Sequence, residues 1–218
     1  MNRWLLAFVV DWAVMITAYI LTPLPIAILI IGTRQHALGM LGHDGAHGSA
    51  FKNRKLNEFF TKLCFGCIGI LLKPYRKFHM PHHAYFGSLD DPEIDLKNDP
   101  SWWHFSWKYV GRDLMGLTAK EALNMWRHAG GTYCVSLVLF LVLAVVSPMF
   151  AVAYFIALGT SFVACNRQRM IIEHGEVYHY GELQKAILFP HNGWLHAEHH
   201  ADPSTPFHRL KSRAVQAD

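Results

Sequence analysis

Charge is scarce in this sequence of 218 residues. Charged side chains make up 17% of the chain and hydrophobic residues 52%, whereas soluble domains average about 25% charged residues. This balance excludes an intrinsically disordered chain and disfavours an ordinary soluble domain. The net charge is +4 with histidine neutral. Membrane proteins collect positive charge in their cytoplasmic loops, so the basic excess requires no nucleic-acid partner.

Cysteine is also scarce, with four residues in the whole chain. Cys64 and Cys67 form one C-x-x-C, but the second pair that a zinc ribbon needs is missing. The pair lies in an apolar run. We therefore expect packed or lipid-facing thiols here, and no disulfide framework.

Long uncharged apolar runs are abundant. Residues 4–22 are apolar except for Asp11, and residues 129–165 carry no charge. One helix over residues 129–165 would measure about 55 Å, far more than the roughly 30 Å core of a bilayer, so Ser147-Pro148 is expected to break it. We predict one all-α domain over residues 1–218, an integral membrane bundle of four transmembrane helices in two hairpins. The predicted spans are about 4–22, 24–41, 131–147 and 149–166.

The distribution of basic residues predicts the topology. Lys and Arg are missing from both predicted hairpin turns, near residues 22–25 and 146–149. By the positive-inside rule, both termini and the histidine-rich regions are then cytoplasmic, where they form a helical cap. The run Phe59–Leu72 is too short to cross, so we expect an interfacial or buried helix. Arg34 follows the apolar part of the second span, whose last turns must lie at the interface or inside protein.

Histidine is in excess, with 15 residues. Eight of them form three short groups: His43 and His47; His79, His82 and His83; His196, His199 and His200. On a helix, residues four apart face the same way, so each group presents two or three imidazoles from one face. A solvated histidine face is the simpler alternative. Two copies of H-x-x-H-H together with an H-x-x-x-H, all on one predicted membrane side, disfavour it.

The three groups predict a metal centre. Eight imidazoles exceed the four ligands of a single zinc ion and suit two first-row metals with open positions. Imidazole suits iron, copper, zinc and nickel, so ligand chemistry leaves the metal open. A haem would use two axial histidines and leave the adjacent pairs unexplained.

The order and spacing of these groups between apolar hairpins resemble the histidine boxes of the membrane fatty acid desaturase–hydroxylase superfamily, from about Gly32 to Leu210. Residues 87–93 and 191–210 also resemble the sequence that the family has around its second and third boxes. The resemblance implies a non-haem di-iron centre that uses O₂ and external electrons to oxidise unactivated C–H bonds. It implies these iron ligands: His43, His47, His79, His82, His83, His196, His199, His200 and, after the last span, His174.

Other polar residues near the boxes are candidates for supporting the centre, because a ligating imidazole usually donates its second N–H to a carboxylate or carbonyl. The candidates are His36, Asp44, Asp91, Asp95, Asn166, Glu173 and His191. Asn166 is also an alternative to His174 as ninth ligand, and His36 is an alternative ligand. A solvated acidic loop is the simpler role for Asp91 and Asp95. Asp11 is costly in a membrane span, so it is either functional or paired with a polar group in the bundle.

The resemblance implies a reaction on a lipid-borne or free hydrophobic substrate. We expect desaturation of a fatty acyl chain, with hydroxylation or ketolation of an alkyl chain or carotenoid as the alternative. The sequence contains no G-x-G-x-x-G and no cytochrome b₅-like His-Pro-Gly-Gly, so we expect electrons from a separate donor such as a ferredoxin with its reductase. A different class, a histidine-rich metal transporter or storage protein, would place ionisable groups along a path through the bilayer, where Asp11 is nearly alone.

Overall fold

The computed structural model describes residues 2–92, 125–174 and 180–212, except for the side chains of residues 125–130, Tyr133 and residues 170–174. Within these ranges every regular element is a helix, which confirms the predicted all-α class. Helices α1 to α9 are Arg3–Leu21, Leu24–Ala46, Arg54–Cys67, Leu72–Tyr85, Met125–Val146, Pro148–Gly159, Ser161–His174, Glu182–Leu188 and His196–Ala201. Two short 3-10 turns, Gly193–Leu195 and Phe207–Arg209, flank α9.

Helices α1 and α2 form a hairpin, as the sequence predicts. The side chain of Asn2 caps α1 by accepting a hydrogen bond of 2.9 Å from the Trp4 backbone N–H. The chain turns at Thr22 and Pro23, and Pro25 lies in the first turn of α2, where its missing N–H costs no helical hydrogen bond. The two helices pack against each other.

Helix α2 is longer than predicted and lies at the centre of the molecule. It continues to Ala46, past the expected end at residue 41, because α1, α3, α6 and α7 pack around it and bury its polar half. Gln35, for example, is buried and donates a hydrogen bond of 2.9 Å to the Tyr154 carbonyl on α6. The last turns of the second span are therefore buried in protein, and they carry the first histidine group.

The second apolar region breaks where the sequence predicts. Helix α5 ends at Val146 and α6 begins at Pro148. A second break, at Thr160, separates α6 from α7 and was not predicted. It brings Ser161 against α2, where its hydroxyl donates a hydrogen bond of 2.8 Å to the Ile28 carbonyl.

Glycine allows α2 and α7 to approach closely. A Cβ atom at Gly32 would overlap the side chain of Ser161 and press on the Phe162 backbone nitrogen. The contact therefore requires a residue without a Cβ.

Three helical stretches of the described chain are long and apolar enough to cross a membrane: Arg3–Leu21, Leu24–Ala46 and Pro148–Arg169. The third runs through the break between α6 and α7. Cys134–Val146, within α5, is apolar but shorter, so the fourth span and the two-hairpin membrane arrangement stay predictions. Large apolar side chains face outward on these helices, including Val145 at 82% exposure, as a lipid-facing surface would require.

Helix α3 overlaps the short apolar run Phe59–Leu72 that the sequence places at an interface or inside the protein, but it begins earlier, at Arg54, and ends at Cys67. Its second half is buried through Phe60, Cys64 and Phe65. All four cysteines are free. Burial raises the pKa of the Cys64 thiol well above its ordinary range and that of Cys67 to about 12. These thiols are packing groups, as expected.

Candidate metal centre

The first histidine group lies where α2 ends. His43 is buried in the last turn of the helix, and His47 is its C-cap residue. Their rings lie 5.0 Å apart between centroids. The i, i+4 spacing therefore brings both imidazoles to one end of the central helix.

The second group lies on α4, with His79 and His82 buried and His83 partly buried. Pro81 is accommodated inside this helix. Tyr75 lies one turn before His79 and stacks on its ring, with centroids 4.8 Å apart. The tyrosine limits rotation of that imidazole.

The third group lies on the short helix α9, which the 3-10 turn Gly193–Leu195 introduces. His196 and His199 are buried, and His200 is partly buried. Phe86, at the end of α4, stacks on the ring of His200, with centroids 3.9 Å apart. Aromatic rings thus pack against the second and third groups.

The eight imidazoles converge into two sets. Within each set, one ring nitrogen from every histidine lies within 4.8 Å of the others. The five-histidine set contains His43, His47, His79, His83 and His199, and the three-histidine set contains His82, His196 and His200. In the five-histidine set, Nε2 of His79 lies 3.0 Å from Nε2 of both His47 and His83. Nε2 of His199 lies 3.3 Å from that of His47. Nitrogens this close to one another suit a shared metal ion.

Helical spacing explains which histidines share a set. Each pair four residues apart stays together, as in His43 with His47 and His196 with His200. The remaining histidine of the second box, His82, joins the third-box pair, and His199 joins the other two boxes. The second and third boxes therefore each contribute histidines to both sets, whereas the first box contributes only to the five-histidine set.

Burial favours the neutral form of five of these imidazoles. Burial, followed by the charges of neighbouring groups, lowers the pKa of His79 and His196 well below the ordinary value. For the same reason the pKa falls to about 4 for His47 and to about 2 for His199 and His200. A neutral imidazole offers a lone pair, which metal coordination requires.

The donor set fits a metal. Both ring nitrogens of His43 and of His200 are inaccessible to solvent and have no hydrogen-bond partner among the described residues. A buried polar atom left unsatisfied costs about 1–3 kcal/mol. Coordination would satisfy such nitrogens, and two sets of nitrogen donors fit two first-row metal ions.

Asp91 orients one imidazole of the three-histidine set. Its Oδ1 lies 2.7 Å from Nδ1 of His82, and its Oδ2 accepts a hydrogen bond of 3.0 Å from the Gly87 backbone N–H. Because the carboxylate only accepts, Nδ1 carries the proton and Nε2 holds the lone pair.

The other predicted supporting residues lie in different places. Asp44 is 3.9 Å from Nδ1 of His43 and accepts a hydrogen bond of 2.9 Å from the Phe207 backbone N–H. His36 is buried outside both sets, and its Nε2 has no hydrogen-bond partner among the described residues. His191 also lies outside both sets, 2.8 Å from Asp11. Asn166 is partly buried on α7.

The side chains of three predicted site residues lie outside the described part of the structure. Glu173 and His174 close α7, and their side chains lie outside the described part of the chain. Asp95 lies outside the described residues altogether. Their roles stay predictions.

Sequence reasoning missed the aromatic neighbours Tyr75 and Phe86. The i, i+4 spacing from Tyr75 to His79 is a local signal that predicts contact on one helix face. Phe86 and His200 are far apart in sequence, and no local pattern predicts their contact.

The fold and the site together define a helical protein with apolar spans and two adjoining sets of buried imidazoles suited to metal ions. A model of the fatty acid desaturase family matches residues 20–216, and the chain belongs to this family. The resemblance that the histidine boxes carry is thereby confirmed.

Curated relatives match shorter stretches. The chain is 31% identical over 81 residues to the omega-3 fatty acid desaturase fat-1 of Caenorhabditis elegans, covering 34% of this chain and 20% of the relative. It is 38% identical over 69 residues to an sn-1 acyl-lipid omega-3 desaturase (ferredoxin) of Synechocystis sp., covering 32% and 19%. It is 37% identical over 71 residues to a chloroplastic omega-3 desaturase of Glycine max, covering 33% and 14%. No solved structure matches the chain significantly.

Proposed function

We propose that this protein desaturates fatty acyl chains with O₂ at a non-haem centre of two iron ions. The observation that carries the proposal is the convergence of eight imidazoles into two sets of mutually close nitrogens. Membership of the fatty acid desaturase family supports both the chemistry and the choice of iron. The desaturase names of the relatives favour acyl desaturation over hydroxylation or ketolation.

In this proposal the five-histidine set binds one iron and the three-histidine set binds the other, and His174 is the ninth ligand. When bound, the metals supply O₂ activation with electrons from an external donor, which oxidation of an unactivated C–H bond requires. The three-histidine set would hold its ion with the fewest protein nitrogens, so it would leave more room for other ligands than the five-histidine set.

The protein's own residues keep the ligands in place. Asp91 holds the proton of His82 on Nδ1 and so directs Nε2 to the metal. Tyr75 and Phe86 restrict the rings of His79 and His200 and cover them with apolar surface. Dry surroundings protect a reactive centre from water and side reactions.

The proposed substrate is a hydrophobic acyl chain, lipid-borne or free, and the proposed donor is a ferredoxin with its reductase. The name of the Synechocystis relative, which includes ferredoxin, supports that donor class. We also propose a multi-pass membrane topology with four spans and with both termini and the histidine boxes in the cytoplasm. The three apolar helices and the uncharged hairpin turns support this topology.

Iron analysis and lipid mass spectrometry test the proposal. We expect about two irons per purified chain. Lipids of an expressing host should contain acyl chains lighter by about two mass units, the loss of two hydrogens. A gain of about sixteen would instead indicate hydroxylation. Metal flux across vesicles without substrate oxidation would support a transporter and refute the enzyme.

Histidine variants sharpen the test. His82→Ala and His199→Ala each remove one proposed ligand from a different set, so each should lower iron content and abolish the product. His208→Ala is the matched control, because this histidine lies outside both sets. Full activity in either ligand variant would contradict the proposed centre.

A further inference from the structure

A buried carboxylate in the first apolar helix contacts the segment that carries the third histidine box. Asp11 is 1% exposed and lies about 12 Å along α1 from Arg3. Its Oδ2 is 2.8 Å from Nε2 of His191, and its Oδ1 is 3.6 Å from Nη1 of Arg34. The sequence predicts that Asp11 is either functional or paired with a polar group. The structure shows that it is paired, and one partner, His191, is distant in sequence.

The contacted segment has an unusual backbone. His191 and Asn192 both have positive φ, 55° and 58°, in the left-handed region that non-glycine residues occupy sparingly. The turn they form leads directly into Gly193–Leu195 and then into α9. Two consecutive left-handed residues persist only when surrounding contacts hold them.

Side-chain hydrogen bonds hold both residues of the turn. His191 is paired with Asp11, and Asn192 donates a hydrogen bond of 2.8 Å to the Phe207 carbonyl. Phe207 is itself tied to Asp44 of α2 through its backbone N–H. Before the turn, on α8, the Ala186 carbonyl accepts a hydrogen bond of 2.8 Å from Arg34.

We propose that Asp11 is a positioning residue: through His191 it holds the left-handed turn that sets α9 against the other two histidine boxes. A carboxyl group inside an apolar span is costly without polar partners, so its contact with His191 fixes where the turn lies. The proposal rests on the two-metal centre proposed above. It assigns Asp11 no contact with substrate or metal.

The two metal positions depend unequally on this contact. Helix α9 contributes two of the three histidines of one set, His196 and His200, and one of the five of the other, His199. Displacing α9 therefore removes most of the three-histidine set and little of the five-histidine set. Losing the Asp11–His191 pair should deplete one iron position selectively.

The test compares Asp11→Ala, Asp11→Asn, His191→Ala and the double alanine variant with the wild type. Thr17→Ala is the matched control, since Thr17 is exposed on the same helix. Iron(II) is added anaerobically and bound iron is measured by mass spectrometry. Amide hydrogen exchange is measured on the metal-free proteins.

We expect both single alanine variants to lose about half of the bound iron, and to bind iron at the depleted position about 10-fold more weakly. Amides of residues 191–201 should exchange faster, while those of α3 stay at the wild-type rate. The double variant should resemble the single variants, because both substitutions remove one contact. Asp11→Asn retains an oxygen that accepts from His191, so it should keep more iron than Asp11→Ala.

Wild-type iron content and wild-type exchange in both alanine variants would overturn the inference and leave the two-metal proposal intact. Additive effects of the two substitutions would also overturn it. If Asp11→Ala unfolds the whole chain, His191→Ala decides on the same measurements, since it leaves Asp11 beside Arg34. A wild-type chain that takes up no iron refutes the two-metal proposal, whereas amide exchange in residues 191–201 still decides whether Asp11 holds the turn.

Discussion

Removing the carboxylate of Asp91 should weaken metal binding at the three-histidine set. The side chains of Asp91 and His82 are both 0% exposed, and the bond between them is 2.7 Å long. Water therefore does not screen the contact, and a hydrogen bond to a charged group contributes about 1.5–3 kcal/mol. That corresponds to about a 10- to 100-fold loss of metal affinity.

The substitution Asp91→Asn tests whether the charge or the shape of this side chain matters, because asparagine has nearly the same shape and no charge. Asp91 accepts from two donors, Nδ1 of His82 and the Gly87 backbone N–H. An amide has one oxygen, so Asp91→Asn leaves one donor facing an NH₂ group. We expect it to weaken iron binding nearly as much as Asp91→Ala does.

Anaerobic iron(II) titration of both variants measures this affinity. Asp90→Asn is the matched control, because Asp90 is the exposed neighbour and lies outside both histidine sets. Wild-type affinity in both Asp91 variants would refute the assigned role of the carboxylate in orienting His82. An equal loss in Asp90→Asn would refute it as well, since the effect would then reflect loop charge alone.

Two further predictions concern stability. Below pH 6.5, the ordinary histidine value, the unfolded chain binds protons that buried His79 and His196 do not. The free energy of unfolding of the metal-free protein should therefore decrease as the pH is lowered, by up to about 1.4 kcal/mol per pH unit for each fully buried histidine. For His47 the decrease should end near its lowered pKa of about 4. Denaturant titrations at neutral and acidic pH measure it, and a flat profile would contradict buried neutral imidazoles. Gly32→Ala should cost about 1–3 kcal/mol by forcing α2 away from Ser161. Gly159→Ala should cost little, because no other part of the described chain lies within 4 Å of the added Cβ. Equal thermal shifts in the two variants would contradict the close contact.

Local pattern predicted the two helix breaks that contain proline. The pairs Thr22-Pro23 and Ser147-Pro148 end helices because proline cannot continue a hydrogen-bonded turn. The break at Thr160 was not predictable in this way. It lies in an uncharged stretch with no proline at the break, and Ser161 there makes its hydrogen bond to Ile28 of α2, 133 residues away in sequence.

The grouping of the imidazoles was likewise predictable within one helix but not between helices. Because residues four apart share a helix face, the sequence by itself determined that His43 pairs with His47 and His196 with His200. It did not determine that His82 would join His196 and His200. Only the packing of α4 against α9 decides that, since the crossing of two helices is set by all of their side chains together.

The carboxylates show the limit most clearly. The sequence by itself determined that Asp11 lies in an apolar helix and needs a partner, since a lone charge is costly there. Its partner, His191, is 180 residues away, and Asp44 likewise reaches Phe207 at 163 residues. The tertiary structure alone decided these contacts, because helical periodicity relates neighbours along the chain and carries no information about which distant segments meet.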